Sequence, residues 1–397
     1  MKFCLVTTFF PPYHFGGDAI VVGHLANVLA DAGHHVQVVH CADSFRLLSN
    51  DVPPSPFAVD PRVNIRTLHS PWRALSPILT FAYGKPVLKK PALEQVLSEG
   101  FDVIHWHNIS LVAGPGGLHH RRGIRLCTLH DYWLMCPTSL LFKNNRSVCD
   151  KPTCFSCSLA YRRPPQLWRR GRLLERSIQQ IDRYLAPSLF VRDKFRESGL
   201  GIDPTVIPHF LPETAVSPAR SSRSYYLFVG RIEKHKGLHT VLPFFRGEDR
   251  ELVVAGAGTA EPELRNLCRD LPNVRFLGRV RYADLPPLYA GAKATLIPSI
   301  SLETFGLTAL ESLAQCTPVI AHKIGALPET ITRTGGGLLY SNPAELGNIL
   351  ERFDAEAGLS KELGERGYSG LHAYRPEPFL NQYFQVIEEE RRKKRAT

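Results

Sequence analysis

The chain has 397 residues, more than one ordinary hydrophobic core accommodates, so its length predicts two domains. Its content of 44% apolar and 21% charged residues is that of a soluble globular protein, and no stretch approaches the roughly 20 consecutive apolar residues that span a bilayer. The formal net charge of +11 predicts an anionic partner, either nucleic acid, anionic lipid or a phosphate-bearing substrate.

The first predicted elements are a strand, a glycine pair and a helix. The stretch MKFCLVTTFF lacks a small-residue cleavage site, so we interpret it as a buried strand, not a secretory signal, and expect a cytoplasmic protein. After Gly16 and Gly17, the stretch AIVVGHLANVLADAG has apolar residues at helical spacing and ends at Gly33. HHVQVVHCA then predicts a second strand.

Strand and helix signals alternate along most of the remaining chain. Further strands are predicted at FDVIHWH, IRLCTLHD, RYLAPS, YYLFVGR, ELVVAGAG, VRFLGRV, ATLIPS and TPVIAHK. Continuous runs of Val, Ile and Leu are typical of strands buried on both faces, which occur in parallel sheets flanked by helices. The sequence therefore predicts an α/β protein.

The periodic pattern is interrupted in VIPHFLPETAVSPARSSRS, where Pro, Ser and Arg displace it. This predicts an N-terminal Rossmann-like domain over residues 1–207, a linker over 208–222 and a C-terminal Rossmann-like domain over 223–376. Ligands of doubly wound sheets bind beyond the carboxyl ends of the strands, so two facing sheets predict a cleft between the domains.

Basic residues are concentrated in one segment of the N-terminal domain. Residues 160–196 carry ten Arg or Lys against three Asp or Glu, with Leu167 and Trp168 among them. This composition is typical of a segment that docks on an anionic membrane face, and the alternative is an ordinary solvated surface.

Our hypothesis is that Arg169, Arg170 and Arg172 assist docking of a peripheral protein at the inner face of the cell membrane. Five consecutive basic residues, Arg391–Arg395, also lie near the end of the sequence, and we interpret them as part of a frayed, solvated terminus.

Two glutamates flank a Phe-Gly step in SLETFGLTALESLAQCTPVIA. Neither Glu303 nor Glu311 helps an apolar core, and the helix is predicted to start near Thr304 or Phe305, with Glu311 about two turns into it. Helix N-termini bind phosphate, Gly306 lets the backbone approach a ligand, and carboxylates accept hydrogen bonds from paired hydroxyls. The separation of the two glutamates fits the distance between a sugar ring and a ribose that are joined through a diphosphate. The alternative is an ordinary amphipathic helix whose acidic side chains are solvated.

Two cations follow the strand YYLFVGR. Arg231 and Lys236 are placed to neutralise a diphosphate leaving group, although alone they are equally compatible with surface charges. Gly16 and Gly17 lie between the first strand and its helix, where a backbone-only turn permits close approach of a ligand. Because the chain contains no Asp-x-Asp, we expect no metal on the diphosphate and no cofactor for catalysis.

Together, these motifs resemble those of the family-4 retaining glycosyltransferases with the GT-B fold. The set comprises the first glycine pair, FVGRIEKHKG, ETFGLTALE, TPVIAHKIGALPE and GGGLLY, and it covers nearly the whole chain. The resemblance implies two doubly wound domains facing across a cleft, with the acceptor on the N-terminal side and the donor on the C-terminal side. It also implies a C-terminal segment, here residues 377–397 with a helix to about Arg392, that crosses back onto the N-terminal domain.

The resemblance also implies the reaction. A sugar would move from a nucleotide-diphosphate donor to a hydroxyl acceptor with retention at the anomeric carbon, through an oxocarbenium-like state. With the basic N-terminal domain, this favours a lipid-linked or saccharide acceptor, as in assembly of a cell-surface polysaccharide or glycolipid.

Residue roles are carried over by position in the motifs. Arg231 and Lys236 would hold the donor diphosphate, and Glu303 would contact donor-sugar hydroxyls. His130, in LCTLHDYW, matches a family histidine at the end of an N-domain strand that also contacts the donor sugar.

The helix after Glu303 would bind the rest of the donor. The N–H groups of Phe305, Gly306 and Leu307 would support sugar and phosphate, and Glu311 would take the ribose. The chain departs from the family at Cys316, where a helix-ending glycine with positive φ is usual. If that conformation is required, Cys316 costs about 1 kcal/mol.

Four of the nine cysteines lie close together in an insertion over residues 136–157. Cys136, Cys149, Cys154 and Cys157 have a spacing compatible with a structural zinc ion. The alternatives are free thiols packed in a loop and redox pairing. In each case the insertion is expected to shape the acceptor side.

Two other functions are compatible with parts of the sequence. A nucleotide-sugar epimerase or a phosphorylase has the same architecture and would convert the donor itself. A nucleic-acid-binding protein would use the thiol cluster and the basic segment, but the sequence has no recognised nucleic-acid fold pattern, so we expect no nucleic-acid partner. His107 is interpreted as a structural histidine, with a place in the acceptor cleft as the alternative.

Overall fold

The computed structural model describes residues 1–49, 53–120, 122–212, 223–247 and 249–396. The chain divides into two compact units. Unit 1 comprises Met1–Leu140, Thr153–His209 and Pro376–Thr397, and unit 2 comprises Leu141–Pro152 and Phe210–Arg375. Most of the predicted linker, residues 213–222, lies outside the described residues.

The strands are, in chain order, β1 (Lys2–Val6), β2 (His35–Cys41), β3 (Asn64–Leu68), β4 (Val103–Trp106), β5 (Ile124–Thr128), β6 (Phe142–Lys143), β7 (Ser147–Val148), β8 (Arg183–Ala186), β9 (Thr205–Val206), β10 (Tyr225–Val229), β11 (Glu251–Ala255), β12 (Val274–Gly278), β13 (Ala292–Ile297), β14 (Val319–His322) and β15 (Gly337–Tyr340).

The α-helices are α1 (Asp18–Asp31), α2 (Ala42–Leu48), α3 (Leu75–Tyr83), α4 (Lys90–Leu97), α5 (Cys154–Ala160), α6 (Leu173–Ile178), α7 (Leu189–Arg196), α8 (Leu238–Val241), α9 (Glu261–Leu267), α10 (Leu285–Ala290), α11 (Leu307–Ala314), α12 (Leu327–Thr334), α13 (Pro343–Ala355), α14 (Leu359–Ser369) and α15 (Pro376–Ala396).

Unit 1 contains a parallel sheet in the order β3-β2-β1-β4-β5-β8-β9. Its centre is formed by the apolar runs that predicted strands, and β1 and β4 are buried almost throughout. The edge strand β3 was not predicted, because its sequence NIRTL is polar and largely exposed. An edge strand faces solvent and needs no continuous apolar run.

Unit 2 contains a second parallel sheet, in the order β12-β11-β10-β13-β14-β15. Within each parallel sheet the strand that comes first in the chain is central and the fourth lies beside it, which is the Rossmann order. The predicted α/β class with parallel sheets is confirmed. A short antiparallel hairpin, β6–β7, also belongs to unit 2.

The strand order identifies where ligands bind in each unit. In doubly wound sheets the ligand crevice lies beyond the carboxyl ends of the two strands at which the order reverses. In unit 1 these strands are β1, which is followed by the loop to Gly17, and β4, which is followed by His107. In unit 2 they are β10, which is followed by Gly230, and β13, which is followed by Pro298.

The C-terminal helix α15 packs within unit 1. It begins one residue before the predicted Glu377 and continues beyond Arg392, to Ala396. The Tyr383 hydroxyl lies 2.9 Å from Nδ1 of His105, and buried Glu390 accepts a 2.6 Å hydrogen bond from Arg183. Among the described residues, no helix is both long enough and apolar enough to cross a membrane.

Candidate active site

A charged cluster lies beyond the carboxyl ends of β10 and β13 in unit 2. Nζ of Lys236 donates to Oε1 of Glu303 over 2.6 Å, and the buried hydroxyl of Ser299 donates to the same oxygen. Burial raises the pKa of the Glu303 carboxyl, but the charge and hydrogen bond of Lys236 and the hydrogen bond of Ser299 outweigh it. The net pKa is below the ordinary value, so Glu303 is a partly buried carboxylate at neutral pH.

The loop after β10 is held in place by close backbone contacts. Gly237 adopts φ 73°, and a Cβ there would lie 1.9 Å from the carbonyl oxygen of Pro298. A side chain at this position is therefore excluded, which explains the final glycine of FVGRIEKHKG. The preceding Lys236 is consequently fixed beside the end of β13, while Arg231 lies exposed at the start of the same loop.

A second loop supports Glu303 from the other side. The N–H of Ala326 donates to the carbonyl of Glu303 over 2.9 Å. Gly325 has φ 61°, and a Cβ there would lie 2.4 Å from the backbone of Glu303. The glycine in HKIGALPE is therefore required for this packing, and it positions the glutamate backbone.

Helix α11 begins at Leu307, later than the predicted start at Thr304 or Phe305. Gly306 precedes it with φ 93°, and no side chain caps the helix. The left-handed glycine, which the local pattern did not reveal, delays the start of the helix, and the first N–H groups of an α-helix have no acceptor within the helix. Glu311 is consequently just over one turn into the helix, not two.

Phe305 contributes only its backbone to this cluster. Its side chain is buried in the core between α11 and α12, and its ring centroid lies 5.9 Å from that of Tyr374. The aromatic ring therefore anchors the segment that carries the N–H groups of Phe305, Gly306 and Leu307.

Glu311 has a different environment from Glu303. Its Oε2 accepts a 2.8 Å hydrogen bond from the hydroxyl of Tyr289, and its carboxylate also accepts one from Tyr282. Burial raises the pKa of Glu311, and the two phenol hydrogen bonds lower it, with a net rise. Tyr282 and Tyr289 were not predicted as site residues, because aromatic residues at helical spacing are typical of an apolar core.

Unit 1 contains a cluster of buried and half-buried imidazoles at the carboxyl ends of β4 and β5. Nδ1 of His107 lies 2.8 Å from Nε2 of His130, and the His130 ring stacks on His209 with centroids 5.0 Å apart. His105 is held by Thr128 at 2.8 Å as well as by Tyr383. The sequence predicted only His130 as a functional member.

Burial is the main cause of the electrostatic state of this cluster. Together with neighbouring imidazoles, it holds the pKa of His105, His107 and His130 well below the ordinary value, and it lowers the pKa of His209 to about 3. These rings are therefore neutral at neutral pH. A small cavity beside them is lined by His107, Asn108, His130, Asp131, Trp133 and Leu134.

The predicted glycine pair forms an open turn before α1. Gly16 and Gly17 have φ 94° and 54°, and a Cβ at either position would meet no atom within 4 Å. Nδ1 of His14 accepts a 2.9 Å hydrogen bond from the N–H of Gly16. The turn therefore has the conformation that favours glycine, with open space around it.

The four cysteines of the insertion are divided between the two units. Cys154 and Cys157 lie on α5 of unit 1, with Cys136 in the same unit, whereas Cys149 belongs to unit 2 and donates its N–H to Leu141. Among the described residues, no three His, Cys, Asp or Glu side chains could hold a metal ion. All nine cysteines are free of disulfide bonds, and a structural zinc ion on the four of the insertion stays a prediction.

Two family models match the chain. The model for Glycosyltransferase Family 4 matches residues 15–213, which is half of the chain, and the model for Glycosyl transferases group 1 matches residues 213–369.

Most of the curated relatives described here match only part of this chain. A glycosyltransferase of Methanocaldococcus jannaschii is 36% identical over 146 residues, 34% of this chain and 37% of that protein. A D-inositol 3-phosphate glycosyltransferase of Corynebacterium kroppenstedtii is 38% identical over 155 residues, 35% of this chain and 34% of that protein. The chain thus spans about a third of the length of these relatives. Glycogen synthase of Mycobacterium tuberculosis is 26% identical over 83% of this chain and 80% of its own length.

Solved structures resemble the fold over nearly the whole chain. Sucrose-phosphate synthase from Thermosynechococcus elongatus has a TM-score of 0.76 at 18% identity, covering 98% of both chains. Anabaena HepE in complex with UDP and glucose has a TM-score of 0.68 at 16% identity, covering 98% of this chain and 99% of that one. These likenesses show the GT-B fold. With the family models, they lead to one conclusion: the chain belongs to glycosyltransferase family 4.

Proposed function

We propose that this protein is a retaining glycosyltransferase that moves a sugar from a nucleotide diphosphate to a hydroxyl acceptor without a metal on the diphosphate. The observation that carries the proposal is the Lys236–Glu303–Ser299 cluster beside the uncapped start of α11. Family membership supports the same activity, and HepE, which has the same fold, was crystallised in complex with UDP and glucose.

The chemistry follows from these groups. An ammonium has three N–H donors, so Lys236 can hold Glu303 with one and diphosphate oxygens with the others. Together with Arg231 and the N–H groups at the start of α11, it would stabilise the negative charge that develops as the diphosphate departs. Glu303 would accept hydrogen bonds from donor-sugar hydroxyls, and the family resemblance gives neutral His130 a contact with the donor sugar.

Retention at the anomeric carbon follows if the acceptor hydroxyl enters on the face that the diphosphate leaves. In this arrangement the departing phosphate oxygens can take the acceptor proton, and the protein acts through charge stabilisation and positioning. Glu311 would bind the ribose hydroxyls, because an ionised carboxylate accepts hydrogen bonds from paired hydroxyls.

The donor site is tested by calorimetric titration with UDP, GDP and ADP. We expect wild type to bind one of them, and Glu311→Ala to bind it about 1–3 kcal/mol more weakly. Glu351→Ala, at an exposed position on α13, is the matched control and should bind as wild type does. Equal binding by Glu311→Ala, or no binding by wild type, would contradict the placement of the donor.

The reaction itself is tested without knowledge of the acceptor. UDP-, GDP- and ADP-linked glucose and galactose are incubated with enzyme in water, and the first sugar released is followed by proton NMR. We expect the α-linked donors to release the α-anomer first, at a rate unaffected by EDTA. Release of the β-anomer would refute retention, and conversion of the donor to an epimer without nucleotide release would favour the epimerase alternative.

We further propose a lipid-linked acceptor, reached at an anionic membrane surface, within polysaccharide or glycolipid assembly. Of the fourteen exposed large apolar side chains among the described residues, eleven lie in unit 1. Trp72, Leu75 and Ile78 recur at spacings of three residues at the start of α3, and Leu167 is 63% exposed. Exposed apolar groups next to basic ones are typical of surfaces that bind anionic lipid.

The basic segment is attached to the end of α3. Nε1 of Trp168 donates to the carbonyl of Phe81 over 2.9 Å, so the ring packs at the end of the helix. Arg170 and Arg172 are exposed beside it. We define the basic–apolar patch as Trp72, Leu75, Ile78, Leu167, Arg170 and Arg172.

Arg169, however, does not belong to this patch. It donates to the backbone carbonyls of Trp133 and Leu134 and lies over the rings of Trp133 and Trp168, at 5.2 and 4.6 Å from their centroids. We therefore leave Arg169 out of the proposed membrane contact, because its guanidinium is committed within unit 1.

Docking is tested by co-sedimentation with vesicles of phosphatidylglycerol and of phosphatidylcholine. Arg170→Glu with Arg172→Glu should weaken binding to the anionic vesicles by about 1 kcal/mol per charge removed, or more, since each charge is reversed. Arg269→Glu with Lys361→Glu, exposed in unit 2, is the matched control. Unchanged binding by the first variant would remove the proposed membrane contact.

A further inference from the structure

Two tyrosines surround the carboxylate that is assigned above to the ribose. Tyr289 lies on α10, and its hydroxyl donates to Oε2 of Glu311 over 2.8 Å. Tyr282 lies three residues before α10, in the segment that follows β12, and also donates to Glu311. Neither residue belongs to the motifs by which the sequence was interpreted.

Tyr289 is held rigidly. It is 1% exposed and packs in a core cluster with Leu227, Val253, Ala255 and Ala292. Its carbonyl accepts a 2.7 Å hydrogen bond from the hydroxyl of Thr317. The phenol therefore has one orientation, and it determines the orientation of the Glu311 side chain.

The contrast with Glu303 indicates what these phenols do. Within the described part of the chain, Glu303 pairs with a cation, whereas Glu311 has phenol donors and no ion pair. A carboxylate has about four hydrogen-bond acceptor positions, so two phenol donors leave about two for a ligand. Two remaining acceptor positions on a fixed carboxylate match the two adjacent hydroxyls of a ribose.

We propose that Tyr289 and Tyr282 are positioning residues for nucleotide recognition, which fix Glu311 so that it binds the 2′- and 3′-hydroxyls of the donor ribose. This inference rests on the proposed function, because it assumes that Glu311 meets a ribose. The tyrosines act on the ligand only through Glu311. Removal of a tyrosine hydroxyl should therefore weaken nucleotide binding only when both the Glu311 carboxylate and the ribose hydroxyls are present.

The test is a double-mutant cycle between protein and ligand. Tyr289→Phe keeps the buried ring and removes only the hydroxyl. Calorimetry measures its binding to whichever of UDP, GDP and ADP wild type binds, and to the 2′,3′-dideoxy form of the same nucleotide. We expect a loss of about 5- to 20-fold for the intact nucleotide, as for one hydrogen bond to a charged group acting indirectly. The loss for the dideoxy form, or in the Glu311→Ala background, should be less than about 2-fold.

Tyr225→Phe is the matched control. The Tyr225 hydroxyl donates to the carbonyl of Leu288 over 2.8 Å, beside the same core cluster but not on Glu311. The Tyr225→Phe variant loses a comparable phenol hydrogen bond and should bind both the intact and the dideoxy nucleotide as wild type does. Where donor hydrolysis is measurable, Tyr289→Phe should raise KM for the donor and leave kcat unchanged.

The outcomes separate the two proposals. Equal losses for intact and dideoxy nucleotides, or an undiminished loss in the Glu311→Ala background, would make Tyr289 merely structural and overturn the inference while the donor site stands. Binding of the intact nucleotide by Glu311→Ala at wild-type strength would overturn both. Should Tyr289→Phe fail to fold, Tyr282→Phe, whose ring is partly exposed, is measured in the same cycle with the same expectation.

Discussion

Unit 1 and unit 2 both bury ionisable side chains, but they do so with opposite results for charge. In unit 2, Glu303 stays ionised because Lys236 and Ser299 compensate for the loss of water around it. In unit 1, His107 and His130 are bonded to each other and surrounded by further imidazoles, so burial leaves them neutral. Burial alone therefore does not determine protonation in this protein; the partner does.

The largest effect is expected from removing the cation in unit 2. Lys236→Met should lower kcat for donor hydrolysis by roughly 100- to 1000-fold, the usual cost of losing one group that stabilises charge in a transition state. It should also raise the pKa of Glu303, whose main compensating charge is gone. Lys234→Met, two residues earlier and exposed, should retain activity. Similar rates of donor hydrolysis for the two variants would mean that the Lys236–Glu303 pair in unit 2 has no role in catalysis.

The neutral imidazoles of unit 1 predict a stability that depends on pH. Their folded pKa lies below the unfolded value of about 6.5, so the unfolded chain binds more protons below that pH. Stability is complete above pH 6.5 and is lost as pH falls towards the folded pKa, by up to about 1.4 kcal/mol per pH unit for each group.

The measurement is the urea midpoint of unfolding between pH 7.5 and 5. His107→Asn should show a shallower decline with falling pH than wild type, since one of the protons taken up on unfolding is missing. His35→Asn, at an exposed position, should keep the wild-type slope. Parallel slopes for wild type and His107→Asn would show that the imidazole is not buried neutral.

Arg169 is a cation that remains charged within unit 1, so it can be compared with the neutral imidazoles of the same unit. Burial lowers its pKa to about 10, still well above neutrality, while two backbone carbonyls and two indole rings stabilise the charge. Arg169→Gln should lower the free energy of unfolding by about 1–3 kcal/mol, because the buried carbonyls lose charged donors. Exposed Arg170→Gln should change it by less than about 0.5 kcal/mol, as thermal unfolding will show.

The smallest effect is expected at the end of α11. Cys316 has φ 55°, so the chain adopts the left-handed conformation at the position where the family usually has glycine. Its carbonyl accepts a 2.6 Å hydrogen bond from Arg223, which helps to hold this strained turn. Cys316→Gly should stabilise unit 2 by about 0.5–1 kcal/mol in urea unfolding. Cys316→Ala keeps the Cβ and should give no such gain; equal gains would implicate the thiol instead.

Much of the fold could be predicted because it depends on local pattern. The ten predicted strands all exist. The missed parallel strands β3, β9 and β15 lie at sheet edges, and of these β3 is polar and β9 has only two residues. In the candidate site, the final glycine of FVGRIEKHKG and the glycine of HKIGALPE are explained by single close contacts, at Pro298 and Glu303. A positive φ or an excluded Cβ leaves a recognisable glycine in the sequence.

What could not be predicted depends on neighbours distant along the chain. The start of α11, the two tyrosines on Glu311 and the enclosure of Arg169 all arise from packing between separate elements. The division of the four thiols between the units is a further example, because Cys149 belongs to unit 2 and the other three belong to unit 1.

The sequence by itself determined the α/β class, the parallel sheets and the motif residues of the candidate site, since periodicity, glycine positions and motif spacing are local properties of the chain. Only the tertiary structure decided which of these residues carry charge and which are held by a partner. Lys236 meets Glu303 across 67 positions of sequence and Tyr289 meets Glu311 across 22, and each contact sets the hydrogen bonding and pKa of the glutamate. Such pairings depend on the packing of separate strands and helices, which no local pattern encodes.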